Sequence, residues 1–266
     1  MNPVPNRHQD QHVVVTGAGT GIGRAVAERL WAEGARLTLL ARDAARLEET
    51  AAACRARRAG GARDLGVASC DVRERASLDA ALDAAVGERG ALFAFVANAG
   101  IGGPNEDGPD DRFSDLVATN LTGTYHSFRA AEARLAPRSD GARHLLAISS
   151  ILARFGVPGY TGYCASKAGL LGLVRALAHE LAEDEVQVNV ICPGWVDTQM
   201  ARDGIQGMAD GLGKTYEEAH AMAMSQVPLG RMSAPEDIAG MVSWLLSADA
   251  RGVTGQGLDM NGGAWM

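Results

Sequence analysis

The sequence predicts a single α/β domain built on a doubly wound parallel sheet. Three observations predict it. Short, continuously apolar runs such as VVV (13–15), LTLL (37–40) and FAFVA (93–97) alternate with longer segments whose apolar residues recur at helical spacing. Runs without polar alternation are what strands covered on both faces require, and strand–helix alternation gives parallel neighbours joined by right-handed crossovers. Finally, 266 residues at 47% hydrophobic and 21% charged suffice for one sizeable core.

In chain order the strands are read as His12–Thr16, Arg36–Ala41, Leu65–Asp71, Leu92–Ala97, Arg143–Ser149 and Val186–Ile191. A seventh at Gly257–Met260 extends the sheet. Segments such as GRAVAERLWAEG (23–34) and AGLLGLVRALAHEL (168–181) carry the helical spacing between them. The last long helix is expected to open at Ser233, because Ser233 and Glu236 have capping-box spacing. Two stretches break the rhythm. Residues 101–111, IGGPNEDGPDD, read as a polar, turn-rich loop. Residues 199–230 carry Met200, Met208, Met222 and Met224, which suit either core filling or an adaptable apolar lid. Residues 1–11 are expected to form a flexible tail and 12–266 one domain, with the lid inside it.

A formal net charge of −7 without a basic stripe excludes a protein built to grip nucleic acid. Arginines gather between Arg24 and Arg63, but interleaved acids make that stretch a solvated helical face. No window approaches 18 apolar residues, so no membrane span is expected, and the opening MNPVPNRHQDQ lacks the apolar stretch of a signal peptide. The four cysteines (Cys54, Cys70, Cys164, Cys192) show no CxxC or metal-type spacing and read as buried thiols in a reducing compartment. A cytoplasmic protein without a metal site is the expectation.

The first strand runs directly into Thr16, Gly17, Ala18, Gly19, Thr20, Gly21, Ile22 and Gly23, and then into a helix. Glycines at a strand-to-helix turn let backbone approach a pyrophosphate closely at a helix N-terminus, and the flanking strand and helix give the motif its context. The second strand ends in Ala41, Arg42 and Asp43, where the adenosine ribose of a dinucleotide is met. An arginine here suits the 2′-phosphate of NADP, whereas an acid would suit the 2′-hydroxyl of NAD. Asp43 is expected to cap the following helix, so NADP(H) is favoured and NAD(H) stays possible.

Tyr163 and Lys167 lie four apart and share one helical face. A tyrosine with an ordinary pKa of about 10 transfers a proton poorly at neutrality, and a nearby ammonium would lower that value. Only two of the 25 basic residues are lysines, Lys167 and Lys214, so a lysine at this position is a specific choice. The fifth strand ends in Ile148, Ser149 and Ser150, at the sheet edge that faces ligands, where a serine can hydrogen-bond a carbonyl. Cys164 adjoins Tyr163 but is turned about 100° away and lacks an activating partner.

Together these segments resemble the short-chain dehydrogenase/reductase family in its compact form. The resemblance spans residues 12 to 263 and rests on TGAGTGIG (16–23), CDV (70–72), ANAG (97–100), Asn120, ISS (148–150), YCASK (163–167) and CPGWVDT (192–198). It implies a Rossmann-like sheet of about seven strands. It also implies that Tyr163 is the general acid/base, Lys167 lowers its pKa and binds the nicotinamide ribose, Ser150 orients the carbonyl, and Asn120 holds a water in a proton relay. Asp71 and Val72 resemble the adenine contacts; Asn98, Ala99 and Gly100 the turn beside the cofactor; Pro193, Gly194, Val196 and Thr198 the segment holding the nicotinamide amide and pyrophosphate. One departure is Ala97, where the family often has a second asparagine; Asn98 remains.

The implied reaction is reversible hydride transfer between a nicotinamide and a carbonyl or secondary alcohol. Overall the chain is most similar to 3-oxoacyl-[acyl-carrier-protein] reductases and hydroxyacyl-CoA dehydrogenases, so a 3-oxoacyl thioester or related ketone is expected. Leu152 and Trp195 are expected to line the pocket, and with the methionine-bearing lid they also suit a small or cyclic alcohol or ketone. A nucleotide-binding sensor or scaffold of the same fold is the reading from another class, disfavoured by the presence of both Tyr163 and Lys167. The resemblance further implies a homotetramer.

Overall fold

In the computed structural model, which describes residues 2–58 and 64–266, seven parallel strands form one sheet in the order β3-β2-β1-β4-β5-β6-β7. They are β1 (His12–Thr16), β2 (Arg36–Ala41), β3 (Leu65–Ser69), β4 (Ala94–Ala97), β5 (Arg143–Ile148), β6 (Val186–Pro193) and β7 (Gly257–Met260). The helices are α1 (Gly21–Ala32), α2 (Ala44–Arg57), α3 (Arg75–Arg89), α4 (Phe113–Val117), α5 (Gly123–Glu132), α6 (Thr161–Glu180), α7 (Gln199–Leu212), α8 (Tyr216–Ser225) and α9 (Pro235–Leu245). A π turn over Ala118–Thr122 joins α4 to α5. Arg63 and Met1 lie outside the described residues.

The apolar runs divide by pleat. Val13 and Val15 face a core shared with Leu30 and Trp31 of α1, Leu47 and Ala51 of α2, and Ile238 and Val242 of α9. Val14 faces the opposite core, with Leu78 and Leu82 of α3, Phe128 of α5, and Leu170 and Val174 of α6. Both faces of the sheet are thus covered, which is why VVV carries no polar position. Strand order reverses at β1, between β2 and β4, and opens a crevice at the carboxyl ends of the strands.

Four expectations need correction. The N-terminal segment is not a loose tail: residues 5–10 form turns packed against α1 and α9, and His8 is fully buried. Its Nε2 lies 3.1 Å from the Ser243 carbonyl, while its backbone N–H donates to Glu33 O at 2.9 Å. The cause is Glu33, a fully buried carboxylate that has to be compensated. It accepts from Arg29 Nε at 2.6 Å, from the Val4 N–H at 2.8 Å and from the Ser243 hydroxyl. Asn6 and Asp10 supply the left-handed turns that route the segment there.

The last long helix begins two residues later than expected. Its capping position is Ala234, whose N–H donates to Asp237 Oδ2 at 2.9 Å, because Ser233 is occupied by a bridge to Val196. The strand edges shift by up to two residues, β6 running on through Cys192 and Pro193. Cys54, Cys70 and Cys192 are buried, but Cys164 is partly exposed. The stretch 199–230 folds as α7 and α8 around a small separate core of Ile205, Ala209, Ala219, Ala223, Met224 and Val227. Met224 and Met208 fill that core, whereas Met222 is exposed and the Met200 sulfur lies against Gly102.

Candidate active site

At the end of β1 the glycine turn is shaped by close approach. A Cβ on Gly23 would stand 2.2 Å from the Gly17 carbonyl oxygen, and one on Gly17, at φ 63°, would stand 2.9 Å from Ala99 Cα. Asn98 holds the turn: its side-chain N–H donates to Thr16 O at 3.0 Å and to Gly17 O at 3.2 Å. Thr16 Oγ1 in turn accepts the N–H groups of Asn98 (3.0 Å) and Ala99 (3.1 Å). The ends of β1 and β4 are thereby cross-tied beside the start of α1.

A cleft of about 520 Å³ opens over this turn, lined by Gly17, Gly19, Thr20, Arg42, Asp71, Val72, Ala99 and Gly100, all expected cofactor residues. Leu40, Ala41, Asp43, Arg46, Cys70, Ile101 and Thr119 also line it. Of these, Arg46 had a signal in its place three residues after the capping Asp43, in the first turn of α2; Ile101 and Thr119 carried no signal. Asp43 caps α2, accepting Arg46 N at 3.2 Å and pairing with its guanidinium at 3.3 Å, so its carboxylate is committed as expected. Asp71 is held by Arg73 at 2.7 Å, which keeps its carboxyl below the usual range. A glycine cradle of this kind fits a pyrophosphate, and the Arg42 guanidinium beside it fits a further phosphate.

Gly21, Ile22, Gly23, Asn98, Pro193, Gly194, Val196 and Thr198 are not among the residues that line this cleft. Ile22 packs into the α1 core, and Gly194 lies against Asn261 so closely that a Cβ would stand 2.9 Å from its Cα. Thr198 caps α7 and brings its methyl to 3.1 Å from where a Gly21 Cβ would be. Pro193 closes β6, and Val196 pairs with Ser233.

The chemical groups come from β5, the π turn and α6. Lys167, 5% exposed, donates from Nζ to the Ile148 carbonyl at 2.9 Å and lies 5.8 Å from the Tyr163 ring centroid. Ser150, at the end of β5, hydrogen-bonds Tyr163 and accepts the Leu152 N–H at 3.1 Å. Ser149 points the other way, donating to Lys167 O at 2.8 Å. Asn120, 1% exposed, clamps Ile101 through both of its backbone groups (2.9 and 3.0 Å) and donates to Ser166 Oγ at 3.1 Å. Its side-chain amide is thereby engaged as a brace. The π turn aims it there by inserting an extra residue into the helical ladder. Trp195 packs on the α7–α8 core near Gly204.

Burial pushes the Tyr163 phenol above its ordinary value, and the Ser150 hydrogen bond only partly opposes this. Burial also holds Lys167 down, to about 8. Burial is the largest influence on Tyr163, and the Lys167 Nζ donates to the Ile148 carbonyl.

A family model described as enoyl-(acyl carrier protein) reductase matches residues 17–264. The chain belongs to the short-chain dehydrogenase/reductase family. Among the relatives of this dehydrogenase/reductase is a candidate ketoacyl reductase of the monensin polyketide synthase from Streptomyces virginiae, 36% identical, covering 94% of this chain and 95% of its own length. Among solved structures it is similar to a single-residue variant of actinorhodin polyketide ketoreductase with NADPH, at TM-score 0.90 and 33% identity over 98% of this chain and 99% of that one. It is also similar to levodione reductase, at TM-score 0.89 and 28% identity over 97% and 98%. The dehydrogenase/reductase is an NAD(P)-dependent oxidoreductase.

Proposed function

We propose that the chain is an NADP(H)-dependent reductase of a 3-oxoacyl thioester or related ketone, with Tyr163, Ser150 and Lys167 as its catalytic residues. The observation that carries the reading is their convergence at the carboxyl end of β5, with Lys167 Nζ close to Gly100 of the cofactor cleft. The bound nicotinamide supplies or accepts the hydride at the carbonyl carbon. Ser150 Oγ, set on the rigid end of β5, donates a hydrogen bond that orients the carbonyl oxygen. Tyr163 Oη delivers the proton to that oxygen in reduction and takes it back in oxidation. A phenol raised by burial stays protonated at neutral pH and is ready to act as the acid. Lys167, mostly protonated at pH 7 with its value near 8, would bind the cofactor ribose, and its positive charge would stabilise the phenolate as it develops. Asn120 braces the site, its side-chain N–H groups bonded to Ile101 and Ser166, and is the residue that would hold a relay water.

Arg42 would receive the 2′-phosphate, which favours NADP(H). Leu152 and Trp195 would meet the substrate, with α7 and α8 as the lid. Exposed Phe155 and Trp265, their ring centroids 5.8 Å apart, and exposed Leu229 and Met222 support a homo-oligomer, a tetramer by family resemblance; light scattering tests it. No helix among the described residues is long and apolar enough to cross a membrane; the cytoplasm remains the proposed location.

A second reading, a compact uncharged or cyclic ketone, is favoured by the engagement of arginines on the loop, the β5–α6 segment and α7. Arg154 is held by Asp259 and the Gly257 carbonyl, Arg112 by the Gly102 and Pro104 carbonyls, and Arg202 by Asp197. Those three arginines are engaged within the chain, and Glu106, Asp107 and Asp110 are exposed in the loop that carries Arg112. Initial rates with NADPH and NADH across acetoacetyl-CoA, a linear ketone and a cyclic diketone separate the readings. Tyr163→Phe is expected to abolish turnover on whichever substrate is active while NADPH binding, read by fluorescence, stays within about twofold. Substantial residual turnover would reject the assignment, and NADPH binding with no turnover on the whole panel would favour the sensor reading.

A further inference from the structure

The helix that carries Tyr163 and Lys167 has no cap of its own. Its capping position is Tyr160, whose side chain makes no bond to the first turn. An α-helix leaves its first four N–H groups without intrahelical partners, and here one of them is served from elsewhere. Gly162 N donates to Asn105 Oδ1 at 2.8 Å, across 57 positions of chain. Thr161 Oγ1 exchanges bonds with the same amide, at 3.0 Å from its nitrogen and 3.2 Å from its oxygen. The Asn105 backbone adds a third tie, its N–H donating to Gly159 O at 2.8 Å.

Asn105 belongs to the loop of residues 101–111, and its remaining amide proton is donated to Asp111 Oδ1 at 3.1 Å. Asp111 Oδ1 simultaneously accepts the N–H of Phe113, the first residue of α4, at 2.9 Å. The Asn105–Asp111 pair therefore joins the N-termini of two helices. One is α6, with Tyr163 one residue beyond the capped N–H. The other is α4, which runs through the π turn into Asn120. The loop's opposite end is fixed to Asn120 as well, through Ile101, and its Gly102 faces Met200 of α7.

We propose that Asn105 is a positioning residue that sets the placement of Tyr163 through the N-terminal turn of α6, with Asp111 as its partner. The assignment rests on the reading of Tyr163 as the proton donor. It makes the loop a part of the catalytic geometry as well as a border of the entrance.

The test uses the full-length chain with NADPH and, as probes, acetoacetyl-CoA and a cyclic diketone. Asn105→Ala is expected to lower kcat roughly tenfold, the effect of losing one helix cap felt at the reacting atom, with KM changed less than about twofold. The exchange Asn105→Asp with Asp111→Asn keeps an acceptor for Gly162 N–H, an amide–carboxylate bond between the two positions and an acceptor for Phe113 N–H. It is expected to recover most of the lost kcat. A second readout needs no turnover: the Tyr163 phenol titration, taken as the tyrosinate difference spectrum against Tyr163→Phe. In Asn105→Ala it is expected to move down toward the ordinary tyrosine value as water reaches the frayed turn, and to return in the exchanged pair. Unchanged kcat and titration in Asn105→Ala would overturn the proposal, as would a loss the exchange fails to restore in both readouts. If Tyr163→Phe itself remained active, the underlying assignment of Tyr163 would fall instead.

Discussion

Arg42 and Lys167 carry the sharpest expectations for single side chains. Replacing Arg42 with Ala is expected to weaken NADPH binding roughly tenfold or more while leaving NADH nearly unchanged, since only the 2′-phosphate loses a charge-assisted bond. Titrations with the two cofactors decide it; equal losses would remove the basis for preferring NADP. Lys167 is a buried cation whose folded value, near 8, lies below its ordinary 10.5. Below pH 8 both folded and unfolded chains carry the proton, so the desolvation cost is fully present. Between about pH 8 and 10.5 the unfolded chain holds more protons, and stability rises with pH. Lys167→Met removes that cost and gives up the bond to Ile148 and the contact with the Tyr163 ring. Its thermal midpoint at pH 7 is expected to rise by a few degrees while turnover is lost. A midpoint several degrees lower would mean that the ammonium is better compensated than its burial implies.

At the level of elements, what was legible in the sequence was local. The strands show in VVV and LTLL because a doubly covered strand leaves no polar position, and the glycine turn shows because the chain spells it consecutively. The places of Asn98 and Ser150 follow from strand ends. Contacts between distant segments were not legible. Nothing in MNPVPNRHQDQ announces that Glu33 will be buried and need donors, nothing near Ser233 reveals that its backbone pairs with Val196, and Asn105 lies 57 positions from the N–H it caps. Burial is equally non-local: helical spacing gives the distance from Tyr163 to Lys167 but not the desolvation of either group. Glycines separate these two kinds of position. Gly87, inside α3 with open space where a Cβ would go, should accept alanine and gain about 0.5–1 kcal/mol. Gly23→Ala, which would drive a Cβ into the Gly17 carbonyl, should cost cofactor binding outright. Denaturation and NADPH titration of the two variants read both outcomes.

Across the whole molecule, acid stability is set at the edge of the sheet opposite the crevice. Burial lowers His12 to about 4 and His144 to about 3, and lowers His8 as well. His12 spends its ring nitrogens on Gly90 O at 2.7 Å and Thr38 Oγ1 at 2.9 Å. These histidines stay neutral in the folded chain while the unfolded chain protonates below about pH 6.5, so stability is lost as pH falls from 6.5 toward 4. Between pH 7 and pH 5 the loss is expected to be about 2 kcal/mol for His12 and for His144 each. Urea midpoints at the two values check it, and a flat profile would mean that these rings are protonated in the native state.

The packing of α1 against α9 also governs how the chain is made. Val26 and Leu30 of α1 find their cover in Ile238 and Val242 of α9, and His8 is anchored on Ser243. A ribosome therefore releases the first helix long before its lid of apolar residues exists. The β1 strand likewise waits for β4 to complete its pairing. Throughout elongation the nascent chain carries an uncovered greasy stripe near its beginning, a natural target for holding chaperones. Premature termination ahead of Pro235 would leave that stripe permanently bare, and such fragments belong in the insoluble fraction of the cell.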